Sequence, residues 1–193
     1  VPGSGVNIKK FSPFERIKLN DHIYTFMYIG RMLADKGLRE LISAMQKINK
    51  NKIICKLDLY GPDDSDNISA ISLDELKHWN IVPGVSYHGI TDNPYLALQK
   101  ADCVILPSYR EGMPRSLLEA GAMGLPSIAT NVPGCRHIIQ HNVNGILCEP
   151  KSIQSLEQAM LLMINIPDKD QKIMGQRARD IVSRDFSEQK LID

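Results

Sequence analysis

Short apolar runs alternate along this chain with longer stretches in which apolar positions recur every three or four residues. The runs fall at 25–29, 53–60, 85–88, 103–106, 127–130 and 145–148, each bounded by turn-forming residues, and read as buried strands. Helical spacing lies between them at about 38–49, 69–79, 94–99, 114–123 and 136–140, and two more helices follow at about 152–164 and 169–185. This order predicts an α/β fold: one doubly wound parallel sheet, Rossmann-like, with helices on both faces.

Composition changes that picture little. The 193 residues are 43% hydrophobic and 23% charged, ordinary usage for a single folded unit with a sizeable core. The expected division is a linker segment at 1–12, the α/β domain at 13–182 and a clipped segment at 183–193. A formal net charge of +1 gives no global field for nucleic acid, so any attraction for anions must be local. The chain has neither an apolar run of transmembrane length nor a recognisable secretory leader, and a cytoplasmic location is expected. Cys55, Cys103, Cys135 and Cys148 form no Cys-x-x-Cys pair and sit mostly in strand-like runs, as small buried hydrophobes do. The five histidines show no metal-ligand spacing; His88 adjoins a strand end, where a surface or packing role is expected.

The chemistry gathers in two strand-to-helix connections, the places where open α/β sheets hold ligands. In the first, Gly30 to Gly37, Arg31 and Lys36 leave the carboxyl edge of the sheet together. Arg31 offers a planar fork and Lys36 a compact charge, a combination suited to two neighbouring phosphates. The second follows the run 103–106 and leads into a helix expected to start at Pro114 and stop at Gly124-Leu125-Pro126. The free amides at that helix N-terminus, those of Arg115 and Ser116, make an anion site, and Gly112 and Met113 lie beside it. Glu111 lies in the loop. Glu119 lies in the helix, on one face with Arg115, Ser116 and Met123, whereas Leu117, Leu118, Gly121 and Ala122 supply the packing face. Read as residues alone, two such glutamates are usually solvated. Asp63-Asp64-Ser65-Asp66 superficially offers a metal site, but after Gly61-Pro62 a turn that also caps a helix is the simpler reading, and no metal is expected.

Glu111-Gly-Met-Pro-Arg-Ser-Leu-Leu-Glu119-Ala-Gly-Ala-Met-Gly-Leu-Pro126 resembles the donor-site motif of retaining glycosyltransferases of the two-domain GT-B architecture, the large family that includes sucrose synthase. Gly30-Arg31 with Lys36-Gly37, Tyr60-Gly61-Pro62, His88-Gly89-Ile90, Val132-Pro133-Gly134 and Asn144-Gly145 resemble the family's other loops, in the family's order. The resemblance implies that the chain is the C-terminal, donor-binding half of a polypeptide about twice as long, entered through a linker at Val1 to Asn7, with the acceptor domain absent. It further implies that Glu119 takes ribose hydroxyls, that Glu111 takes hydroxyls of the transferred sugar, and that backbone near Gly89 and Ile90 faces the base. Arg31, Lys36 and Glu111 then form the catalytic set and act without a metal cofactor. Retention would follow a front-face route rather than a two-carboxylate glycosidase mechanism.

The closest resemblance in pattern is to bacterial enzymes that add hexoses or N-acetylhexosamines to lipid-linked glycans for capsule or O-antigen. A UDP-sugar is the implied donor, and the whole enzyme is expected to be membrane-peripheral. The fragment alone is expected to bind donor without transferring it. Where the family often carries Glu, this chain has His137, which leaves Arg136 needing another partner. Two alternatives stay open: a non-catalytic nucleotide-binding module, and a sugar-nucleotide epimerase of the same architecture, which would need an acid/base set that the sequence does not display.

Overall fold

The computed structural model describes residues 5–14, 22–52 and 54–191. Six strands, β1 (Tyr24–Ile29), β2 (Cys55–Tyr60), β3 (Val85–Tyr87), β4 (Cys103–Leu106), β5 (Ser127–Thr130) and β6 (Gly145–Cys148), form one wholly parallel sheet. Their spatial order is β3-β2-β1-β4-β5-β6. The chain winds outward from β1 in one direction and from β4 in the other, so the switch point lies between those two strands. The central strands are apolar on both faces because both faces are covered. Phe26, Met27 and Tyr28 of β1 and Cys103, Val104 and Ile105 of β4 are wholly buried.

The helices are α1 (Leu38–Ile48), α2 (Leu73–Trp79), α3 (Pro94–Leu98), α4 (Arg115–Ala122), α5 (Pro133–Arg136), α6 (Ile153–Asn165) and α7 (Asp168–Asp185). In α1 the buried positions Leu38, Leu41, Ile42 and Met45 recur at helical spacing, and this stripe faces the core. Helix α1 packs with α6, and α4 with α7. Right-handed crossovers put the two pairs on opposite faces of the sheet. Gly175 of α7 lies against the Gly124 turn so closely that a Cβ there would stand 2.0 Å from the Gly124 carbonyl oxygen.

The segment 5–12 is packed onto the domain. Val6 and Phe11 are buried, and Val6 N–H donates to Phe186 O at 2.9 Å while Val6 O accepts from Glu188 N–H at 3.1 Å. The Arg179 guanidinium donates to Ile8 O, Phe11 O and Ala122 O, tying that segment to α7 and to the end of α4. Residues 1–4, 15–21, Ile53 and the last two positions lie outside the described residues, with parts of the expected linker, the start of the expected domain, a strand position and the tail among them.

Several boundaries differ from the sequence reading. Helix α2 begins only at Leu73, where the Ser72 hydroxyl accepts from Glu75 N–H at 3.2 Å. Residues 67–71 are held as a turn against the first loop, with Ile71 N–H donating to Met32 O at 2.9 Å. The expected helix at 136–140 is instead α5, because Pro133 suits a first helical position. Pro114 is the residue before α4, with extended ψ of 113°, so the helix starts one position later than expected. All four cysteines are buried free thiols, as expected, with Cys55, Cys103 and Cys148 in strands and Cys135 in α5.

Candidate functional site

The carboxyl ends of β1 and β4 bring two loops into contact at the switch point. A Cβ at Gly37, whose φ is 69°, would stand 2.1 Å from Pro107 O, so glycine lets the first loop lie directly on the second. Tyr109 N–H donates to Asp35 O at 2.8 Å, and the Tyr109 hydroxyl donates to Glu40 of α1 at 2.6 Å. The Lys151 ammonium lies 4.9 Å from the centre of the Tyr109 ring. Burial and Glu40 push the Tyr109 phenol up to about 12, so it stays a donor at neutral pH. Three oxygens packed along these loops, Asp35 Oδ1, Glu40 Oε2 and Ser108 Oγ, are buried without a hydrogen-bond partner among the described residues.

Across this junction Lys36 Nζ meets Glu111 Oε1 at 2.7 Å, with side chains 18% and 12% exposed. Beneath the pair lie two buried groups that feel its charge. The Tyr28 hydroxyl donates to Arg31 O at 2.8 Å, and burial, with Glu111 and Asp35 nearby, keeps it protonated. The Cys135 thiol is pushed up to about 12 by burial and by Glu111. From the far side, α5 supports the loop: a Cβ at Gly134 would stand 2.3 Å from Glu111 O and 2.4 Å from Gly112 O. Gly112 itself faces open space, and Met113 packs half-buried against the core.

Helix α4 carries the second carboxylate. Glu119 is buried, with Arg115 at 3.8 Å as its ion-pair partner. Burial raises its pKa, and Arg115 and then Lys10 pull it back. Ser116 is half-buried and Arg115 exposed at the helix start, where the first amides have no acceptor inside the helix.

Two expected residues stand elsewhere. Arg31 leaves Gly30, whose N–H donates to Tyr60 O at 3.0 Å, and its exposed guanidinium pairs with Asp64 at 3.0 Å. The Asp63–Asp66 segment is indeed a turn, with Asp64 at φ 49° and its carbonyl accepting from Asn67 N–H at 2.8 Å. It caps no helix, because α2 begins beyond it at Leu73 with Ser72 as its cap. Ile90 is 71% exposed after Gly89, whose carbonyl accepts from Gly61 N–H at 2.8 Å. His88 stacks on Tyr60 with ring centres 4.5 Å apart and binds Asp58 at 2.7 Å, a packing role. Arg136 takes Asn131 as its partner in place of a residue at 137, donating to the Asn131 carbonyl at 3.1 Å and to its side chain at 3.2 Å.

The sequence reading passed over Tyr28, Lys10, Tyr109 and Glu40. A tyrosine inside a continuous apolar strand is the signal for the first, since its hydroxyl must find an acceptor when buried. The others owe their positions to long-range packing.

Among the described residues no group of three or more His, Cys, Asp or Glu could hold a metal, and no helix is long and apolar enough to cross a membrane. A groove of about 410 Å³ beside Val143, Leu162, Ile166 and Ile173 is lined by none of the expected site residues. The carboxyl edge instead presents an ammonium and a carboxylate in adjoining loops beside a helix N-terminus, with a second carboxylate buried in that helix, an arrangement able to bind an anion joined to a hydroxyl-bearing group.

Comparison with known proteins identifies the family. The family profile described as glycosyl transferases group 1 matches residues 10–181. N-acetyl-alpha-D-glucosaminyl L-malate synthase of Bacillus anthracis is 31% identical over 188 residues, which cover 95% of this chain and 45% of that protein. UDP-Gal:alpha-D-GlcNAc-diphosphoundecaprenol alpha-1,3-galactosyltransferase of Escherichia coli is 26% identical over 198 residues, 98% of this chain and 51% of that one. The structure of sucrose-phosphate synthase from Thermosynechococcus elongatus superposes with a TM-score of 0.83 at 25% identity, over 98% of this chain and 49% of that one. The chain thus spans about half the length of the curated relatives it matches. With its sheet order, its switch-point loops and this match over most of its length, the chain belongs to the glycosyl transferases group 1 family and has the Rossmann-like fold of the C-terminal half of a GT-B glycosyltransferase.

Proposed function

We propose that this domain binds the nucleotide-sugar donor of a retaining glycosyltransferase, which transfers a hexose or N-acetylhexosamine from a UDP-sugar to a lipid-linked glycan in polysaccharide biosynthesis. The observation that carries the reading is the Lys36–Glu111 pair, part-buried at the switch point beside the N-terminus of α4. Lys36 and the amides of Arg115 and Ser116 take the diphosphate, joined by Arg31 once its exposed link to Asp64 opens. Glu111 and the backbone of Gly112 and Met113 hold the sugar, Glu119 the ribose, and Gly89 and Ile90 face the base. The Escherichia coli relative, named as a UDP-Gal transferase acting on a diphosphoundecaprenol, supports both the donor and the acceptor class.

Negative charge grows on the diphosphate as the sugar leaves, and preorganised cations and N–H dipoles stabilise it most where water is scarce. Half a positive charge from the helix dipole adds to Lys36, so the chemistry runs without a metal ion. Glu111 and Glu119 belong to one segment of the wall, which suits positioning rather than attack, and the diphosphate oxygen accepts the acceptor's proton on the front face. The acceptor would come from another domain of the same polypeptide, acting at the inner face of the membrane, so this domain alone transfers nothing.

Calorimetric titration of the chain with UDP, GDP and ADP, each with and without EDTA, tests the reading. UDP is expected to bind best, with EDTA making no difference. Equal indifference to all three nucleotides would refute it.

A further inference from the structure

Lys36 is the cation the proposed site places nearest the diphosphate, yet in this domain its ammonium lies 2.7 Å from Glu111, and neither side chain is more than 18% exposed. Resting on the donor-site reading, we infer that Glu111 is a built-in competitor for Lys36. A diphosphate must draw the ammonium away from Glu111, and the carboxylate so released is then satisfied by the hydroxyl groups of a donor's sugar.

The surroundings leave Glu111 few other resources. The Tyr28 hydroxyl beneath it already donates to Arg31 O, and the Cys135 thiol beside it is held neutral by burial. Arg31 is engaged with Asp64, and Arg115 lies against Glu119. The loop cannot easily retreat either, because Gly134 presses on the carbonyls of Glu111 and Gly112, and Tyr109 is bonded to Asp35 and Glu40. When an anion takes Lys36, Glu111 keeps its position and becomes an unpaired, part-buried charge next to two phosphates. Both effects oppose binding of a bare diphosphate.

A nucleotide sugar differs from a bare diphosphate in carrying hydroxyl donors toward Glu111, and hydrogen bonds to a charged acceptor are the strong kind. Glu111 therefore makes the site prefer the sugar-bearing donor to the spent nucleotide. After transfer the sugar is gone, Lys36 returns to Glu111, and release of the nucleoside diphosphate is assisted. On this account Glu111 discriminates substrate from product as well as positioning the sugar.

Inorganic pyrophosphate is the probe, since it reports on Lys36 without any choice of base or sugar; UDP serves as a second. Their affinities for the 193-residue chain are measured by calorimetry for wild type, Glu111→Gln, Glu111→Ala, Glu119→Gln and Lys36→Met, with thermal unfolding checking that each variant is folded. Both Glu111 variants are expected to bind pyrophosphate and UDP about tenfold more tightly than wild type, the scale of one charge-assisted hydrogen bond. Glu119→Gln, at the carboxylate the donor-site reading gives to the ribose, should weaken UDP and change the affinity for pyrophosphate, which has no ribose, by less than about threefold. Lys36→Met should bind both probes more weakly than wild type. Unchanged or weaker binding by the folded Glu111 variants, with Lys36→Met still defective, overturns the competition and leaves the donor site standing. Indifference of all variants overturns the donor reading itself. In the wild-type protein the Glu111 carboxyl ¹³C resonance should move as pyrophosphate saturates the site, and a resonance that stays still under bound pyrophosphate also overturns the competition.

Discussion

The loop from Pro107 to Pro114 and helix α4 each carry one glutamate, and the two side chains are almost equally hidden, 12% exposed at Glu111 and 11% at Glu119. Their electrostatic situations are nonetheless different. Glu111 meets an ammonium at 2.7 Å that is itself largely covered, whereas Glu119 has a mostly exposed guanidinium at 3.8 Å and a carboxyl that burial pushes upward. Exposure measures what a charge loses on leaving water; the geometry of its partner decides how much is recovered. The loop depends on a contact between the two halves of the sheet, whereas the helix holds its glutamate chiefly through Arg115 one turn away, with a smaller contribution from Lys10.

The largest effect should come from parting the two halves. Gly37→Ala places a Cβ against Pro107 O at a positive φ, so the first loop must lift from the second. A loss of about 2–4 kcal/mol in unfolding free energy is expected from strain and overpacking together, read from urea denaturation, with diphosphate affinity falling in parallel. If stability is unchanged, the two loops are not packed as described.

Gly134→Ala acts on the loop alone. Its Cβ would meet the carbonyls of Glu111 and Gly112, while Glu119 in α4 is left in place. The expected cost is about 1–3 kcal/mol, together with a weaker affinity for UDP. Retention of full UDP affinity at that cost would show that the position of the loop does not matter for the nucleotide.

The smallest and sharpest test compares Glu111→Gln with Glu119→Gln by thermal unfolding between pH 3 and pH 8. Losing the Lys36 pair should make Glu111→Gln less stable than wild type at neutral pH by about 1 kcal/mol. Glu119 behaves in the opposite sense. Its folded-state pKa is raised above the ordinary value of 4.5, so the folded chain holds that proton more tightly than the unfolded chain does. Stability from this group is present below about pH 4.5 and is lost as pH rises through the raised value. Glu119→Gln should therefore match or exceed wild type at pH 7, by less than about 1 kcal/mol, and lose that advantage on acidification. Equal destabilisation by both substitutions would erase the distinction between loop and helix.

Much of the fold was legible because periodicity is a local property. The runs at 103–106, 127–130 and 145–148 coincide with β4, β5 and β6, since strands buried in a parallel sheet are built mainly from apolar and small residues. The helix expected to begin near 69 starts at Leu73, because residues before it are claimed by Met32 through a bond that no local pattern announces. Likewise the acid run at 63–66 showed its turn chemistry in the sequence, but its binding of Arg31 depended on where β1 and β2 end side by side.

The amino-acid order by itself determined which residues would lie at strand ends and which at helix starts, because hydrophobic period, proline and glycine act over a few residues at a time. It also brought Arg31 and Lys36 to one loop and Glu111 and Glu119 to the next. Only the tertiary structure decided the pairing: Lys36 with Glu111 across the switch point, Arg31 outward to Asp64, and Tyr28 beneath both loops. The reason is physical. Charges and hydroxyls separated by tens of residues find one another only after the apolar strands have packed and excluded water, and the partner each meets is set by the order of strands in the sheet.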